Sequence, residues 1–361
     1  MGVYVTNTNE LTVVADAIRL KRGTASQLEY PGGFVSAIDS IPLINDVVYV
    51  DYDGTILHSY TAAQFATLTA HPANPTHTGL TAQGWNWTLS DAKTHVATYG
   101  QLVIGQNYIT TSGKTEIDIT ISNNEFLGYA WNLYFQLYQN AVINWGDGTG
   151  DETVTGGTSG VSNVNAAHWY SQTGNYTITI EPVAADNAYF NFGAGATSSP
   201  NILRFTNDNN AASLSIRHIR FGRDMRISNS FYTLGNLGNL ETVTIPAYFG
   251  NYTSLTSRFC YNCHLLKCVV IPSGVTEIKV ESFFCCERIE FISLPKSITT
   301  FSSTAIFQRC ASLKMLTIPQ GPTSIPDTFV GNSTSLKNVI SHLVYSLLVR
   351  PHFRVAVHYG K

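Results

Sequence analysis

The chain is short of charge. Of its 361 residues only 12% are Asp, Glu, Lys or Arg, and the formal net charge is -3; an ordinary domain carries about twice that share. No basic tail or stripe is present, so the electrostatic footprint of a nucleic-acid binder is missing. Long apolar runs are missing too. The best, Leu343 to Val349, falls far below the roughly 20 residues that span a bilayer, so no membrane insertion is expected. The opening residues MGVYVTNTNE hold no basic stretch followed by an apolar core, and no secretory signal is expected. All six cysteines lie between Cys260 and Cys310, and without a route to an oxidising compartment a disulfide framework is not expected either.

Thr, Ser, Asn, Gly and Tyr fill the gap left by charge. That is the composition of β-rich proteins whose exposed strand faces carry Thr and Tyr in place of Lys and Glu. The length suggests two to four domains, and the fold class expected is mainly β. Five segments are read along the chain.

Residues 1–45 read as a helical anchor. Asn9 can cap a helix with Leu11, Val14, Ala15 and Ile18 on one face, and Gly23 can stop it. A second helix follows Pro31-Gly32-Gly33, with Phe34, Ala37, Ile38 and Ile41 on one face. Two such helices bury too little surface to stand alone, so they are expected to dock on a neighbour. Residues 46–115 form a small β-containing module that opens with Val47-Val48-Tyr49-Val50-Asp51-Tyr52-Asp53-Gly54-Thr55. Residues 116–200 alternate as strands: Ile117-Asp118-Ile119-Thr120-Ile121, Val142-Ile143-Asn144-Trp145, and Tyr176-Thr177-Ile178-Thr179-Ile180, with a turn at Gly146-Asp147-Gly148-Thr149. Residues 201–340 hold a repeat whose lines begin at Ile216, Leu240, Leu266, Ile289 and Leu313, with a sixth opening at Leu336. The starts are 24, 26, 23, 24 and 23 residues apart. Each line offers one short strand with inward apolar residues that it cannot bury alone, so the coils must stack. Residues 341–361 leave the repeat and are expected to cap its open end.

Several of these patterns resemble known families. The string N-E-L-x-x-x-A-D-A-I-R-x-K-x-G-T, followed by Y-P-G-G-F-V-S-A-I, resembles the N-terminal module of tail-associated proteins of phages and prophages of Gram-positive bacteria. The run from D-Y-D-G-T-I to G-W-N-W-x-L resembles a small module of phage structural proteins. The set W-G-D-G-T, H-x-Y and G-x-Y-x-I-x-I resembles the polycystic-kidney-disease-type sandwich, an immunoglobulin-like fold. The repeat is similar to the leucine-rich repeats of the BspA surface-antigen type.

Three constellations invite chemistry. D-x-D-G-T after an apolar strand is how haloacid dehalogenase-type phosphatases begin, with the first Asp as nucleophile. The rest of that machinery is not legible: no downstream acidic pair for Mg²⁺ follows, and no alternation of strand and helix. Asp53-Gly54 is read as a turn after a half-buried strand, and no enzyme activity is expected. Cys263, Cys286 and Cys310 each stand three residues before a repeat line, each behind an aromatic, Phe259, Phe283 or Phe307. One thiol per coil means a packed column rather than a tetrahedral zinc site, so no metal and no cofactor are expected. His71, His77 and His95 share the second segment without an acidic partner at ligand spacing, and are read as surface or turn histidines.

The outward residues of the ladder are the candidate ligand contacts. One column reads His218, Thr242, Cys268, Phe291, Met315, and the next Arg220, Thr244, Val270, Ser293, Thr317. Outward Phe291 and Met315 are either covered by another segment, such as the last twenty residues, or part of a contact surface. Tyr248, Phe249 and Tyr252 crowd one loop, where they either stack on sugar rings or fold back on their own core. The resemblances imply a non-enzymatic phage tail protein, with partners among other virion tail proteins, a host cell-surface glycan or protein, and copies of itself. They imply a place on the virion, after assembly in the host cytoplasm. A decoration or baseplate protein without a receptor, or a bacterial surface adhesin, are the alternatives.

Overall fold

The computed structural model describes residues 46–340 except 138, 158–161, 184–189, 193–202, 206–212, 224, 228–232, 249–252, 327 and 337–338. The expected helical anchor, the C-terminal cap, Phe249 and Tyr252 lie outside the described residues. The described residues belong to a single compact unit. It is mainly β, with a small mixed sheet, a pair of larger sheets and a coil ladder.

The small sheet has the order β2-β1-β4-β3, built from β1 (Val47–Val50), β2 (Ile56–Tyr60), β3 (Leu80–Trp85) and β4 (Leu102–Thr110). β1 runs parallel to β4, while β2 and β3 flank them antiparallel. Two helices that the sequence reading did not foresee cover one face. α1 (Ala62–Thr67) starts with a capping box between Thr61 and Gln64. α2 (Leu89–Tyr99) is capped by Thr88 at its start and stopped by Gly100 in the left-handed region. Val47, Tyr49, Leu102 and Ile104 pack under these helices with Phe65, Trp87, Ala92 and Val96. The alternate residues Val48, Val50 and Val103 point to the opposite face and are buried there as well. An unbroken apolar run such as VVYV is what a strand buried on both faces requires.

The next sheet carries six strands in the order β15-β13-β5-β10-β7-β8. They are β5 (Thr115–Ile121), β7 (Ala141–Asn144), β8 (Asp151–Val154), β10 (Gly174–Pro182), β13 (Ile216–Arg220) and β15 (Thr242–Thr244). A second sheet centres on β6 (Trp131–Leu137), which pairs with β9 (Ser162–His168) on one side. On its other side it pairs with the short strands β11 (Phe190–Phe192) and β12 (Leu203–Phe205), and β14 (Met225–Ile227) extends β11. Ile117, Ile119, Ile143, Ile178 and Ile180 of the first sheet share one core with Trp131, Leu133 and Phe135 of the second. Tyr170 sits at the centre, edge-on to Trp131 and Trp145, and its hydroxyl donates to the Trp145 carbonyl at 3.0 Å.

β13 and β15 already belong to the repeat. The first sheet therefore passes without a break into the coil ladder. β13 pairs antiparallel with β5 and parallel with β15. Further coils add β17 (Cys268–Val270), β19 (Phe291–Ser293), β21 (Leu316–Thr317) and β22 (Val339–Ile340), in parallel pairs. The registers match the columns read from sequence: His218 faces Thr242, Cys268 faces Phe291, and Phe291 bridges to Met315. A second parallel ladder runs through β16 (Ser254–Leu255), β18 (Glu277–Ile278) and β20 (Thr300–Phe301).

The coils close through tight turns. Arg258, Glu281, Ala305 and Thr328 form one column of left-handed residues, and Asn262, Cys285, Arg309 and Asn332 another four positions on. Such a conformation costs a residue with a side chain roughly 1–2 kcal/mol, which the stacking must offset. Inside, Phe259, Phe283, Phe307 and Phe329 form a continuous row of rings, with centroids 6.3, 5.5 and 5.0 Å apart, the middle pair stacked and the outer two edge-on. The cysteines form the expected buried column. Cys263, Cys286 and Cys310 donate to the carbonyls of Leu234, Cys260 and Phe283, and Ser333 takes the same place in the next coil, donating to Phe307. All six cysteines are free. Burial pushes the thiols of Cys260, Cys286 and Cys310 up from their ordinary pKa, which keeps them protonated donors.

Candidate binding groove

Two consequences of this topology decide what the outward ladder face can do. The first is that the small sheet covers part of it. Val48, Val50 and Val103 pack on Cys268, Val270, Phe291 and Met315 in one apolar cluster. Gly105 lies against Val270 so closely that a Cβ there would stand 2.4 Å from a Val270 methyl. Buried amides satisfy the ladder's carbonyls at the seam. Asn86 Nδ2 donates to Ile271 at 2.9 Å, Asn107 Nδ2 to Ile245 at 3.0 Å, and Trp87 Nε1 to Leu294 at 2.8 Å. In return Ser293 Oγ donates to the Val103 carbonyl at 2.8 Å.

Phe291 and Met315 are therefore not ligand contacts; they are buried, as is Thr244. Among the described residues the cover comes from residues 46–110; the last twenty residues, offered as an example, lie outside the described residues. Residues 46–110 thus pack on the repeats.

The second consequence is that the ladder stays open where it joins the six-stranded sheet. There an open groove of about 500 Å³ is lined by Asp118 and Thr120 of β5, Asn175 and Thr177 of β10, Arg217, His218 and Arg220 of β13, and Glu241. Cross-strand pairing aligns these residues in rows: Thr242, His218, Asp118 and Thr177 stand side by side, and Thr244, Arg220, Glu116 and Thr179 form the next row. β13 carries a bulge between Ile216 and His218. The extra residue leaves both Arg217 and His218 partly exposed, while Ile216 and Ile219 stay in the core.

The floor of the groove is a closed network. Arg220 forks onto Asp118, with Nη1 to Oδ2 at 2.6 Å and Nη2 to Oδ1 at 2.8 Å, and its Nε donates to Glu116 at 2.8 Å. Burial works against the guanidinium's charge, yet these bonds hold its pKa above the ordinary value. Thr177 Oγ1 donates to Asp118 at 2.8 Å. The walls are less committed. His218 Nδ1 meets Thr242 Oγ1 at 2.8 Å, and its Nε2 has no partner among the described residues. Asn175 accepts from Thr120 Oγ1 at 2.8 Å, which leaves its Nδ2 hydrogens unused there. Arg217 and Glu241 approach only to 3.8 Å, with a third or more of each side chain exposed.

Of the contacts expected from sequence, His218 and Arg220 thus line the groove, and Thr242 stands behind it, bonded to His218. Tyr248 is exposed beyond β15. Asp118, Thr120, Asn175, Thr177, Arg217 and Glu241 were not foreseen. The alternation of β5 turns Asp118 and Thr120 outward, but nothing in the sequence says that β5 lies beside β13.

The D-Y-D-G-T stretch closes the turn between β1 and β2: Gly54 N donates to the Asp51 carbonyl, and Asp51 N to that of Thr55. The Asp51 carboxylate is buried and accepts from Tyr52 N at 2.9 Å, Tyr108 Oη at 2.8 Å and His77 Nε2 at 2.7 Å. His77, read from sequence as lacking an acidic partner at ligand spacing, meets one 26 residues upstream. Burial and the bond to Asp51 push the Tyr108 phenol up, so it remains a donor. Asp53 accepts from Thr55 N at 2.9 Å in an Asx turn. His71 meets Tyr49 Oη at 2.8 Å, and His95 is buried against Trp87 and Tyr99. Among the described residues no three His, Cys, Asp or Glu side chains gather as a metal site.

Residues 213–345 match the family profile of the BspA type leucine rich repeat region, in six copies. Neither a curated protein nor a solved structure matches the chain.

Proposed function

We propose that the chain is a non-enzymatic attachment protein that contacts a cell surface through the open stretch of its ladder and the adjoining sheet. The observation that carries this reading is the solvent-open polar groove across β13, β5 and β10 and bounded by Glu241, on a scaffold whose BspA type repeats are typical of surface adhesin-like proteins. A rigid sheet offering several uncommitted polar groups suits many weak contacts, and copies of the chain on one particle would multiply them.

The finer reading places the chain on a phage tail. It rests on the likeness of residues 9–41 and 46–112 to phage modules and of residues 116–182 to the polycystic-kidney-disease-type sandwich. The segment before residue 46 then attaches to other tail proteins, the chain assembles in the host cytoplasm, and the partner is a host surface glycan or protein. The repeat type favours a second carrier, the surface of the bacterium itself.

The test is binding of the fluorescently labelled full chain to a panel of Gram-positive cells. Saturable binding supports attachment, and no binding to any member overturns it. Antibody detection in purified virions, against the cell-wall fraction of uninfected cells, separates the two carriers. Turnover of phosphate esters with Mg²⁺ that disappears in Asp51→Asn would overturn the non-enzymatic reading.

A further inference from the structure

Resting on the attachment reading, we infer that the groove between β10 and β15 takes a neutral, hydroxyl-rich glycan segment. Three features exclude other occupants. The first is charge. Asp118 and Glu241 oppose Arg217 and Arg220 along the lining, and the strongest pair is closed on itself by the Arg220 fork. An anionic polymer would find only Arg217 loosely held, and that beside Glu241; to gain a second cation it would have to pull Arg220 from both carboxylates, leaving them partly buried and unpaired, which is costly.

The second feature is the backbone. β13, β5 and β10 are interior strands of the sheet, each paired on both sides. None of these three offers an open edge, the ladder of N–H and C=O groups by which an extended peptide adds a strand. The third is the shortage of apolar wall. Protein interfaces draw most of their energy from buried aromatic and aliphatic anchors. The residues lining this groove are mainly polar; of the two apolar ones, Ile119 is held in the core, and Tyr176 packs partly against it with its hydroxyl committed to the Gln172 carbonyl.

What the walls do offer fits sugar hydroxyls. A hydroxyl both donates and accepts, and neighbouring hydroxyls on a ring are matched by planar side chains that present adjacent polar atoms. His218 Nε2, the Asn175 amide, the Arg217 guanidinium and the Glu241 carboxylate are planar groups of this kind. They stand around a floor whose own hydrogen bonds are already made. The volume of about 500 Å³ lies in the range of small-ligand sites, so the groove holds a short stretch of a chain rather than a broad surface.

The probe is an array of neutral oligosaccharides beside acidic ones (sialylated, sulfated and phosphodiester-linked) and beside random peptides, read with the labelled full chain. The expected result is signal on neutral members that free oligosaccharide competes away. Asn175→Arg, which fills the groove from an exposed strand position, lowers that signal by ~10-fold or more, and Arg217→Ala lowers it by ~3–10-fold, the scale of one or two lost hydrogen bonds. Lys314→Ala, on the covered stretch, leaves it unchanged, and thermal melts show all three variants folded. Signal confined to acidic or peptide members overturns the inference, as does neutral signal undiminished in both groove variants, or no signal at all. Cell binding by the wild type with a silent neutral array sinks the glycan inference and leaves attachment standing. Groove-dependent neutral signal without cell binding does the reverse.

Discussion

The first two ladder strands, β13 and β15, and the next three, β17, β19 and β21, share one coil geometry but face different surroundings. Over the first two the outward column is polar and half-exposed, His218 in the groove wall and then Thr242 bonded to it. Over the next three it reads Cys268, Phe291 and Met315, all buried under β1 and β4. The repeat fixes only the inward face, where each coil must meet its neighbours. The outward face is free to vary, so its chemistry follows whatever lies against it. A leucine-rich-repeat ladder is usually pictured as one continuous surface; here another part of the same chain divides it.

The comparison breaks most visibly by placing one charge at equivalent points. Phe291→Asp buries an unpaired carboxylate between Val270 and β4 and is expected to cost more than about 4 kcal/mol. Thr242→Asp, one column position in the open stretch, is expected to cost less than about 1 kcal/mol. Urea melts of both check this, and equal losses would mean that the two stretches are alike. Next in size is Gly105→Val, whose side chain has no room against Val270. It should cost about 1–3 kcal/mol by forcing the small sheet off the ladder. Gly79, with open space around its Cβ position, sharpens the contrast less well because its φ of +80° is itself strained for other residues.

Arg220→Met probes the open side. It leaves Glu116 and Asp118 without their partner and is expected to cost about 1–3 kcal/mol. Adding Asp118→Asn should recover part of that loss in a double-mutant cycle. The smallest effect concerns the ladder's other face. Glu277 accepts from Ser254 and Ser302, one coil to either side, at 2.6 and 2.5 Å. Burial raises its pKa, but these bonds win and hold it below the ordinary 4.5. Its contribution is therefore present above pH 4.5 and is lost as pH falls through the lower folded-state value. A melt series from pH 6 to pH 3 should show a loss that Glu277→Gln flattens.

Much of the ladder was legible in the sequence because its cause is local and periodic. Lines 23 to 26 residues apart, each with apolar residues at fixed places, can bury those residues only by stacking in the register observed. The cysteine column and the phenylalanine row were legible for the same reason. The division of the outer face was not, because its cause is long-range. Asn86 bonds to Ile271, 185 positions away, and Asn107 to Ile245. Two signals did point to it: the fully apolar VVYV, too apolar for a strand with one wet face, and the change of the outward column from His and Thr to Cys, Phe and Met. The groove was half legible. His218 and Arg220 follow from the repeat, whereas Asp118, Asn175 and Thr177 join them only because β5 pairs with β13 across about a hundred residues of sequence.

The division of the ladder is tested most directly by thiol labelling along one column. Cys268 and Thr242 are equivalent positions in successive lines, one under the small sheet and one open. In native Thr242→Cys protein treated with a small maleimide and mapped by peptide mass, the thiol introduced at position 242 should react at the rate of an exposed cysteine. Cys268 should stay unmodified until denaturant is added, or until Gly105→Val is introduced. Equal native labelling of both positions would contradict the account.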